Sequence, residues 1–250
     1  MKYGYSLVGV VEIGDASLIG RTVFVLHPHQ TLFNVPAGAA IPLPRGLPPQ
    51  RAVLAANMET ALNGVWDGAP GPADRIAVVG CGVLGALVAF LCGRIAGTEV
   101  TIIDTNPARA ETASRLGVAF ADPRAAPCDR DLVFHASGTE AGLASALGCA
   151  GEEATIIDLS WYGDGRIAVP LGGAFHSRRL RLISSQVGQV AASRRPRWTR
   201  ERRLASALDL LMDARLDALI ESAVPFRDLP ERLPDILRAD SGVLCQLIEH

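Results

Sequence analysis

The sequence predicts an α/β protein built around a doubly wound parallel sheet, and the stretch from Arg75 to Asp104 carries this prediction. The apolar run at residues 76–79 ends in a glycine-rich turn, GCGVLG, at residues 80–85. Apolar residues then continue at helical spacing through Ile95, and a second β-branched run at 100–103 stops at Asp104. Strand, turn, helix and strand in this order form the opening unit of a parallel sheet.

Each glycine of the turn suits a bound dinucleotide. Gly80 permits the tight turn, Gly82 leaves room for a pyrophosphate, and Gly85 lets the helix pack closely on the strand. The phosphates would lie at the helix N-terminus with Val83 and Leu84, where free N–H groups and the helix dipole favour anions. The motif in this context predicts a Rossmann domain, although a glycine turn can also join strand and helix with no ligand.

The acid after the second strand indicates which dinucleotide is bound. Asp104 follows the turn by about 20 residues, the spacing at which a carboxylate accepts hydrogen bonds from ribose hydroxyls. A 2′-phosphate would face this negative charge, so we expect NAD rather than NADP. Arg109, close behind, keeps NADP open as the weaker alternative.

Polar residues follow two later strands of the predicted sheet. Ser137 follows a strand at 131–135, and the turn that it begins resembles one that passes under the adenosine ribose. Ser160 comes after a strand at 155–159 and is expected to line the nicotinamide pocket, because ligands bind at the carboxyl ends of such strands. His135 lies inside its apolar strand and is interpreted as a core histidine.

The segments on either side predict a second, β-rich region. Strands are expected at 5–13, 22–26 and 31–35, followed by a proline-rich loop at 36–50 and a helix at 52–65. A glycine-proline cluster at 67–72 marks a boundary. Helices at 199–213 and 229–237 and a strand at 243–248 close the chain, which gives domains at 1–70, 71–188 and 189–250.

Composition excludes several classes of protein. The 250 residues are 49% hydrophobic with a net charge of −2, which argues against disorder, nucleic-acid binding and anionic membranes. An arginine-rich run at 194–203 is a solvated face in this interpretation, with an anionic ligand as the alternative. The five cysteines have no metal-type spacing and predict a reducing, cytoplasmic location.

Four blocks of sequence resemble the medium-chain dehydrogenase/reductase superfamily, the zinc-type alcohol dehydrogenase-like proteins. They are GYSLVGVV at 4–11, ALN at 61–63, ADRIAVVGCG at 73–82, and LDALI at 216–220 with Pro225-Phe226. The resemblance implies a Rossmann domain plus a partial GroES-like β domain that the C-terminal segment completes. It also implies NAD(P)-linked oxidation of an alcohol or reduction of a carbonyl, and a possible homodimer.

The chain departs from the zinc-binding pattern of that family. Where zinc members read Gly-His-Glu, this sequence reads Gly4-Tyr5-Ser6, and tyrosine is a poor zinc ligand beside imidazole. The position of a further ligand falls near Ala55 or Ala56, and no four-cysteine lobe is present. We therefore expect no zinc, with zinc-dependent catalysis kept as an alternative.

The resemblance also implies strands ahead of the Gly4 block that this sequence does not carry. We expect that the start of the chain has been assigned too late. A fragment or a reduced domain are the alternatives.

Without a metal, a hydrogen-bond donor must polarise the carbonyl, and tyrosine is the usual neutral choice. Tyr5 stands at the lost ligand position, so it is a catalytic candidate, unless it only fills space. Asn57 and Glu59 on the following helix are further candidates, unless Glu59 is simply a solvated carboxylate. A degenerate member that binds the dinucleotide without turnover, as a sensor or subunit, is the alternative function.

Overall fold

The computed structural model describes residues 3–238 and 241–250 and divides the chain into two compact units. One unit comprises Glu59–Arg200, and the other comprises Met1–Met58 with Glu201–His250. The domain boundaries at 70 and 188 stay a prediction. Within the described residues, no helix has both the length and the apolar character needed to cross a membrane.

The larger unit is a six-stranded parallel sheet flanked by helices. Its strands are β4 (Arg75–Val79), β5 (Glu99–Ile103), β6 (Ala119–Ala121), β7 (Arg130–His135), β8 (Ala150–Asp158) and β9 (Arg181–Ser184). Its helices are α3 (Val83–Cys92), α4 (Arg109–Leu116), α5 (Glu140–Cys149) and α6 (Ala174–Ser177), and most of α2 (Ala55–Gly68) also belongs to it.

The strand order β6-β5-β4-β7-β8-β9 is the 3-2-1-4-5-6 order of dinucleotide-binding sheets. The central strands are apolar on both faces, as a sheet covered by helices requires: Ile76, Val78, Val133 and Ile156 are each fully buried. The predicted α/β fold with a Rossmann sheet is therefore confirmed.

Helix α3 lies unusually close to the strand that precedes it. A Cβ placed on Gly85 would overlap the carbonyl oxygen of Gly80, so no other residue fits there without a backbone shift. Seven of the ten helix residues, Ala86 to Cys92, are buried along with Gly85 itself. The helix is thus fixed directly behind the turn that it follows.

The smaller unit contains an antiparallel sheet of three strands in the order β1-β2-β3 and a parallel pair, β10-β11. Its strands are β1 (Leu7–Val10), β2 (Thr22–Val25), β3 (Ile41–Pro42), β10 (Val224–Pro225) and β11 (Ile248–Glu249), and its helices are α1 (Pro49–Ala52), α7 (Arg200–Leu210) and α8 (Leu229–Ile236). The first turn of α2 also belongs to this unit, whereas Arg200, the first residue of α7, does not. Residues from both ends of the sequence therefore build this unit, as the predicted partial β domain with its C-terminal completion requires.

Two strand predictions in this unit are wrong. Residues 31–35 form no strand, because the second edge of β2 pairs with Ile41–Pro42 instead, while Phe33 and Val35 pack on the buried Val23, Val25 and Ala40. Near the C-terminus, regular pairing is limited to Ile248–Glu249, with one isolated bridge at Cys245. Residues 31–35 thus satisfy their apolar pattern by packing, whereas residues 245–247 keep three backbone hydrogen bonds to residues 219–224.

A buried arginine ties the C-terminal segment to α1 within the smaller unit. The guanidinium of Arg51 donates to both carboxylate oxygens of Asp217 at 2.8 Å and to the Met212 carbonyl at 3.0 Å. Arg51 is only 6% exposed, and the carboxylate raises the pKa of its guanidinium. A bidentate pair of this kind fixes direction as well as distance.

We predict that Gly85→Ala lowers the free energy of unfolding by about 3 kcal/mol, because the new methyl group overlaps the Gly80 carbonyl. The matched control is Gly148→Ala on α5, where a Cβ meets nothing within 4 Å. That variant should gain roughly 0.5–1 kcal/mol from helix propensity. Urea unfolding followed by circular dichroism measures both, and equal effects would contradict the close packing of α3.

Candidate functional site

The carboxyl ends of β4 and β7 meet at the point where the strand order reverses. The strands are neighbours, and the Ala136 N–H donates to the Val79 carbonyl at 2.8 Å just beyond them. From this point the chain leaves β4 towards α3 and leaves β7 towards α5. Open α/β sheets bind their ligands at such a switch point.

The glycine turn has the three features that its sequence predicts. Gly80 has φ +103° and lies so close to the next turn that a Cβ would meet the Ser137 nitrogen at 2.7 Å. Gly82 is the N-cap of α3, and a Cβ there would meet nothing within 4 Å. Val83, Leu84 and Gly85 form the first turn of the helix, whose hydrogen bonding begins at Ala86 N–H.

Asp104 is tied to the glycine turn by its side chain. One carboxylate oxygen accepts the Cys81 N–H at 2.7 Å, and the other accepts the Asn106 N–H at 2.8 Å. Arg109 lies close behind as the half-buried first residue of α4. The structure therefore brings the acid that follows β5 against the turn that follows β4.

A polar network joins the ends of β7 and β8. His135 is fully buried, with Nδ1 3.0 Å from Asp158 Oδ1 and Nε2 2.7 Å from Ser137 Oγ. Ser160 donates its N–H to Asp158 Oδ1 and accepts the Gly138 N–H, both at 3.0 Å. The Tyr162 hydroxyl lies 3.2 Å from Asp158 Oδ2.

The hydrogen bonds of this network keep the Asp158 carboxylate ionised. Burial by itself raises the pKa of Asp158, but hydrogen bonds from His135, the Ser160 N–H and Tyr162 outweigh it and hold that pKa below its ordinary value. Burial and the charge of Asp158 raise the pKa of Tyr162 to about 12. At neutral pH the site therefore holds an ionised Asp158 and a neutral Tyr162.

Ser137 and Ser160 lie two residues beyond the ends of β7 and β8, and the polar groups that join them are not apparent from the sequence pattern. His135 is buried, as a core histidine should be, yet both of its ring nitrogens have polar partners. Asp158 was not singled out, although it pairs with His135 in the strand register. A polar residue at the last position of each of two adjacent parallel strands is the signal that could have found them.

Two of the proposed catalytic residues are in contact in the smaller unit. The Tyr5 hydroxyl donates to Asn57 Oδ1 at 3.0 Å. The Tyr5 side chain is 57% exposed, but burial at its hydroxyl end raises its pKa, and the hydrogen bond to Asn57 offsets only part of this.

Glu59 differs from a solvated carboxylate, since it is 9% exposed and belongs to the larger unit. It follows Asn57 by two residues on α2, and side chains at that spacing point to nearly opposite sides of a helix. Across residues 3–238 and 241–250, no three His, Cys, Asp or Glu side chains cluster in a way that could hold a metal ion.

Comparison with known proteins finds relatives both by sequence and by structure, and three of them are as follows. D-guloside 3-dehydrogenase of Escherichia coli K12 is 26% identical over 203 residues, which cover 76% of this chain and 58% of that protein. L-idonate 5-dehydrogenase of Escherichia coli has a TM-score of 0.78 at 14% identity and covers 98% of this chain and 80% of that one. A short chain alcohol dehydrogenase from Escherichia coli CFT073, solved with NADH, has a TM-score of 0.74 at 16% identity over 98% and 82% of the two chains.

The chain thus spans 58% of the length of D-guloside 3-dehydrogenase. No family model matches the sequence. The sequence match and the shared fold nevertheless agree with the blocks identified above, and they confirm that the chain resembles the zinc-type medium-chain alcohol dehydrogenases.

Proposed function

We propose that this protein is an NAD(H)-dependent oxidoreductase that transfers hydride between nicotinamide and an alcohol or carbonyl substrate. The observation that carries the proposal is the glycine turn at the strand-order switch point with Asp104 held against it. The dehydrogenase named as a sequence relative and the NADH-bound structural relative support it. A sugar-derived polyol is the substrate class that the guloside and idonate enzymes suggest.

The residues present fit a dinucleotide. The missing side chain of Gly82 leaves open space in front of α3, where N–H groups that precede the helical hydrogen bonding can bind a pyrophosphate. Gly82, Val83, Leu84 and Gly85 would hold it there. When bound, the nicotinamide supplies the hydride chemistry, and the protein supplies binding and orientation.

Asp104 favours NAD over NADP. A carboxylate has about four acceptor sites, and the two N–H groups occupy only two of them, so acceptors remain for ribose hydroxyls. The same two hydrogen bonds prevent the negative charge from turning away from a 2′-phosphate. Arg109 is the nearby cation that supports the NADP alternative.

We propose that Tyr5 and Asn57 handle the substrate oxygen and that no zinc is required. The raised pKa of Tyr5 keeps its phenol protonated at neutral pH, so it can donate a hydrogen bond to a carbonyl. Because a phenol has one hydrogen, Tyr5 would turn it from Asn57 Oδ1, its acceptor in this structure, to the substrate oxygen. Glu59 points to nearly the opposite side of α2 from Asn57, so it would act as a base or a hydrogen-bond acceptor for a different part of the substrate.

We predict that the protein binds NADH at least tenfold more tightly than NADPH and that Asp104→Ala reverses this preference. The variant loses carboxylate acceptors that each contribute about 1.5 kcal/mol to the binding of NADH. A difference of about 1.4 kcal/mol in binding free energy corresponds to a tenfold difference in affinity. Loosening of the glycine turn would weaken the binding of both nucleotides equally. The ratio of the NADH affinity to the NADPH affinity therefore isolates the effect of the carboxylate charge. Energy transfer from tryptophan to bound nicotinamide gives both affinities.

The matched control is Asp122→Ala, because Asp122 follows β6 as Asp104 follows β5 and also accepts a backbone N–H, that of Arg124, at 2.8 Å. It should leave both affinities unchanged. A wild-type protein that is folded and binds neither nucleotide would contradict the proposed function.

We predict turnover of a polyol or its ketone with NAD(H), lowered by about a hundredfold in kcat/KM in Tyr5→Phe, the usual contribution of one positioned proton donor. A panel of sugar alcohols and aldonates, followed by NADH absorbance, measures it. Tyr3→Phe is the control, since Tyr3 is also exposed in the same unit. Tight NADH binding with no turnover of any substrate would favour a dinucleotide sensor or subunit instead.

A further inference from the structure

The buried His135 begins a chain of hydrogen bonds that ends at the protein surface. Its Nε2 lies 2.7 Å from Ser137 Oγ, and Ser137 Oγ lies 3.1 Å from Thr139 Oγ1. His135 is 0% exposed, whereas Thr139 is exposed. A titratable ring inside the sheet is therefore connected through two hydroxyl groups to the carboxyl edge of the sheet.

The proton positions along this chain are determined by Asp158. The Ser160 and Tyr162 hydroxyls also lie 3.2 Å from His135 Nδ1, but an ionised carboxylate can only accept hydrogen bonds. Nδ1, at 3.0 Å from Asp158 Oδ1, therefore carries the hydrogen. In a neutral imidazole the other nitrogen is then an acceptor. With a neutral ring, Nε2 receives the hydroxyl hydrogen of Ser137.

The remaining groups follow by the same accounting. With its hydrogen donated, Ser137 Oγ accepts the Thr139 hydroxyl at 3.1 Å and the Thr139 N–H at 3.3 Å, which fills both lone pairs. Thr139 Oγ1 has thereby given up its hydrogen, and it accepts the Gly142 N–H at 3.0 Å. One acceptor site is left on Thr139, and no donor.

This chain lies directly against the glycine turn. The Ser137 nitrogen and Cα would meet a Cβ on Gly80 at 2.7 and 2.8 Å, so no side chain fits between the two turns. On the other side, α5 presents Gly142, where a Cβ would overlap Ser137 Oγ and lie 3.0 Å from His135 Nε2. The direction of the Ser137 side chain is therefore restricted from both sides.

We propose that His135, locked by Asp158, is a positioning residue for the dinucleotide. It fixes the turn at 136–139 against the glycine turn and makes Thr139 an obligate hydrogen-bond acceptor, suited to a ribose hydroxyl and unsuited to a phosphate oxygen. The inference rests on the proposed dinucleotide site. It assigns to His135, Asp158 and Thr139 a role in binding that neither the motif nor the relatives supply.

Two substitutions separate positioning from stability. His135→Asn places an amide near the Nδ1 position, which keeps a donor to Asp158 but leaves Ser137 without its acceptor. His135→Gln reaches the Nε2 position, which keeps an acceptor for Ser137 but deprives the carboxylate of its ring donor. The Gln variant should therefore be the less stable of the two and the Asn variant the weaker binder.

We predict that His135→Asn binds NADH about tenfold more weakly than the wild type, whereas His135→Gln stays within about threefold, although its urea midpoint is lower than that of His135→Asn. Ser137→Ala should also lose about tenfold, and the double variant with His135→Asn should lose no more than either single change, because both break the same chain. The control is His176→Asn, an exposed histidine of the same unit, which should bind NADH normally.

Loss of affinity that follows loss of stability in both His135 variants, or losses that add in the double variant, would overturn the inference and leave the proposed function intact. A wild type that binds no dinucleotide would overturn the proposed function and the inference with it. Nitrogen-15 NMR of the imidazoles in dinucleotide-free protein provides a separate test. We expect the hydrogen of His135 on Nδ1, and a hydrogen on Nε2 would overturn the inference.

Discussion

The contact between the turn that follows β4 and the turn that follows β7 is the constraint on which the larger unit depends. A Cβ on Gly80 would overlap the Ser137 backbone, and a Cβ on Gly85 would overlap the Gly80 carbonyl oxygen. Side chains at these glycines would force the two turns apart. The chain leaves β4 and β7 in different directions at this point, which opens a crevice between the two turns. The close approach of these turns therefore also shapes the open space at Gly82.

Much of this fold can be predicted from local sequence, because buried parallel strands and glycine turns are marked by short contiguous patterns. The strand at Ala119–Ala121 has only three residues and no such pattern. Residues 31–35 have the alternation of a strand but not the partner, since Ile41–Pro42 occupies the edge of β2. A strand needs a second segment as its hydrogen-bonded partner, and a local sequence pattern does not identify that partner.

The same reasoning explains what could be predicted of the candidate site. The glycines and Asp104 stand at fixed spacings within one supersecondary unit, so the motif identifies them. His135 and Asp158 are 23 residues apart and meet only through the register of β7 and β8. Glu59 is a different case, since its burial argues against the alternative of a solvated carboxylate, which a single helix position in the sequence cannot decide.

The central claim is that the glycine turn and Asp104 bind a nicotinamide dinucleotide, and a crystal structure of the protein with NADH tests it most directly. Our account predicts density for the pyrophosphate in front of Gly82 at the start of α3, with a ribose within hydrogen-bond distance of Asp104. NADH bound elsewhere, or a glycine turn that stays empty at saturating NADH, would contradict the account.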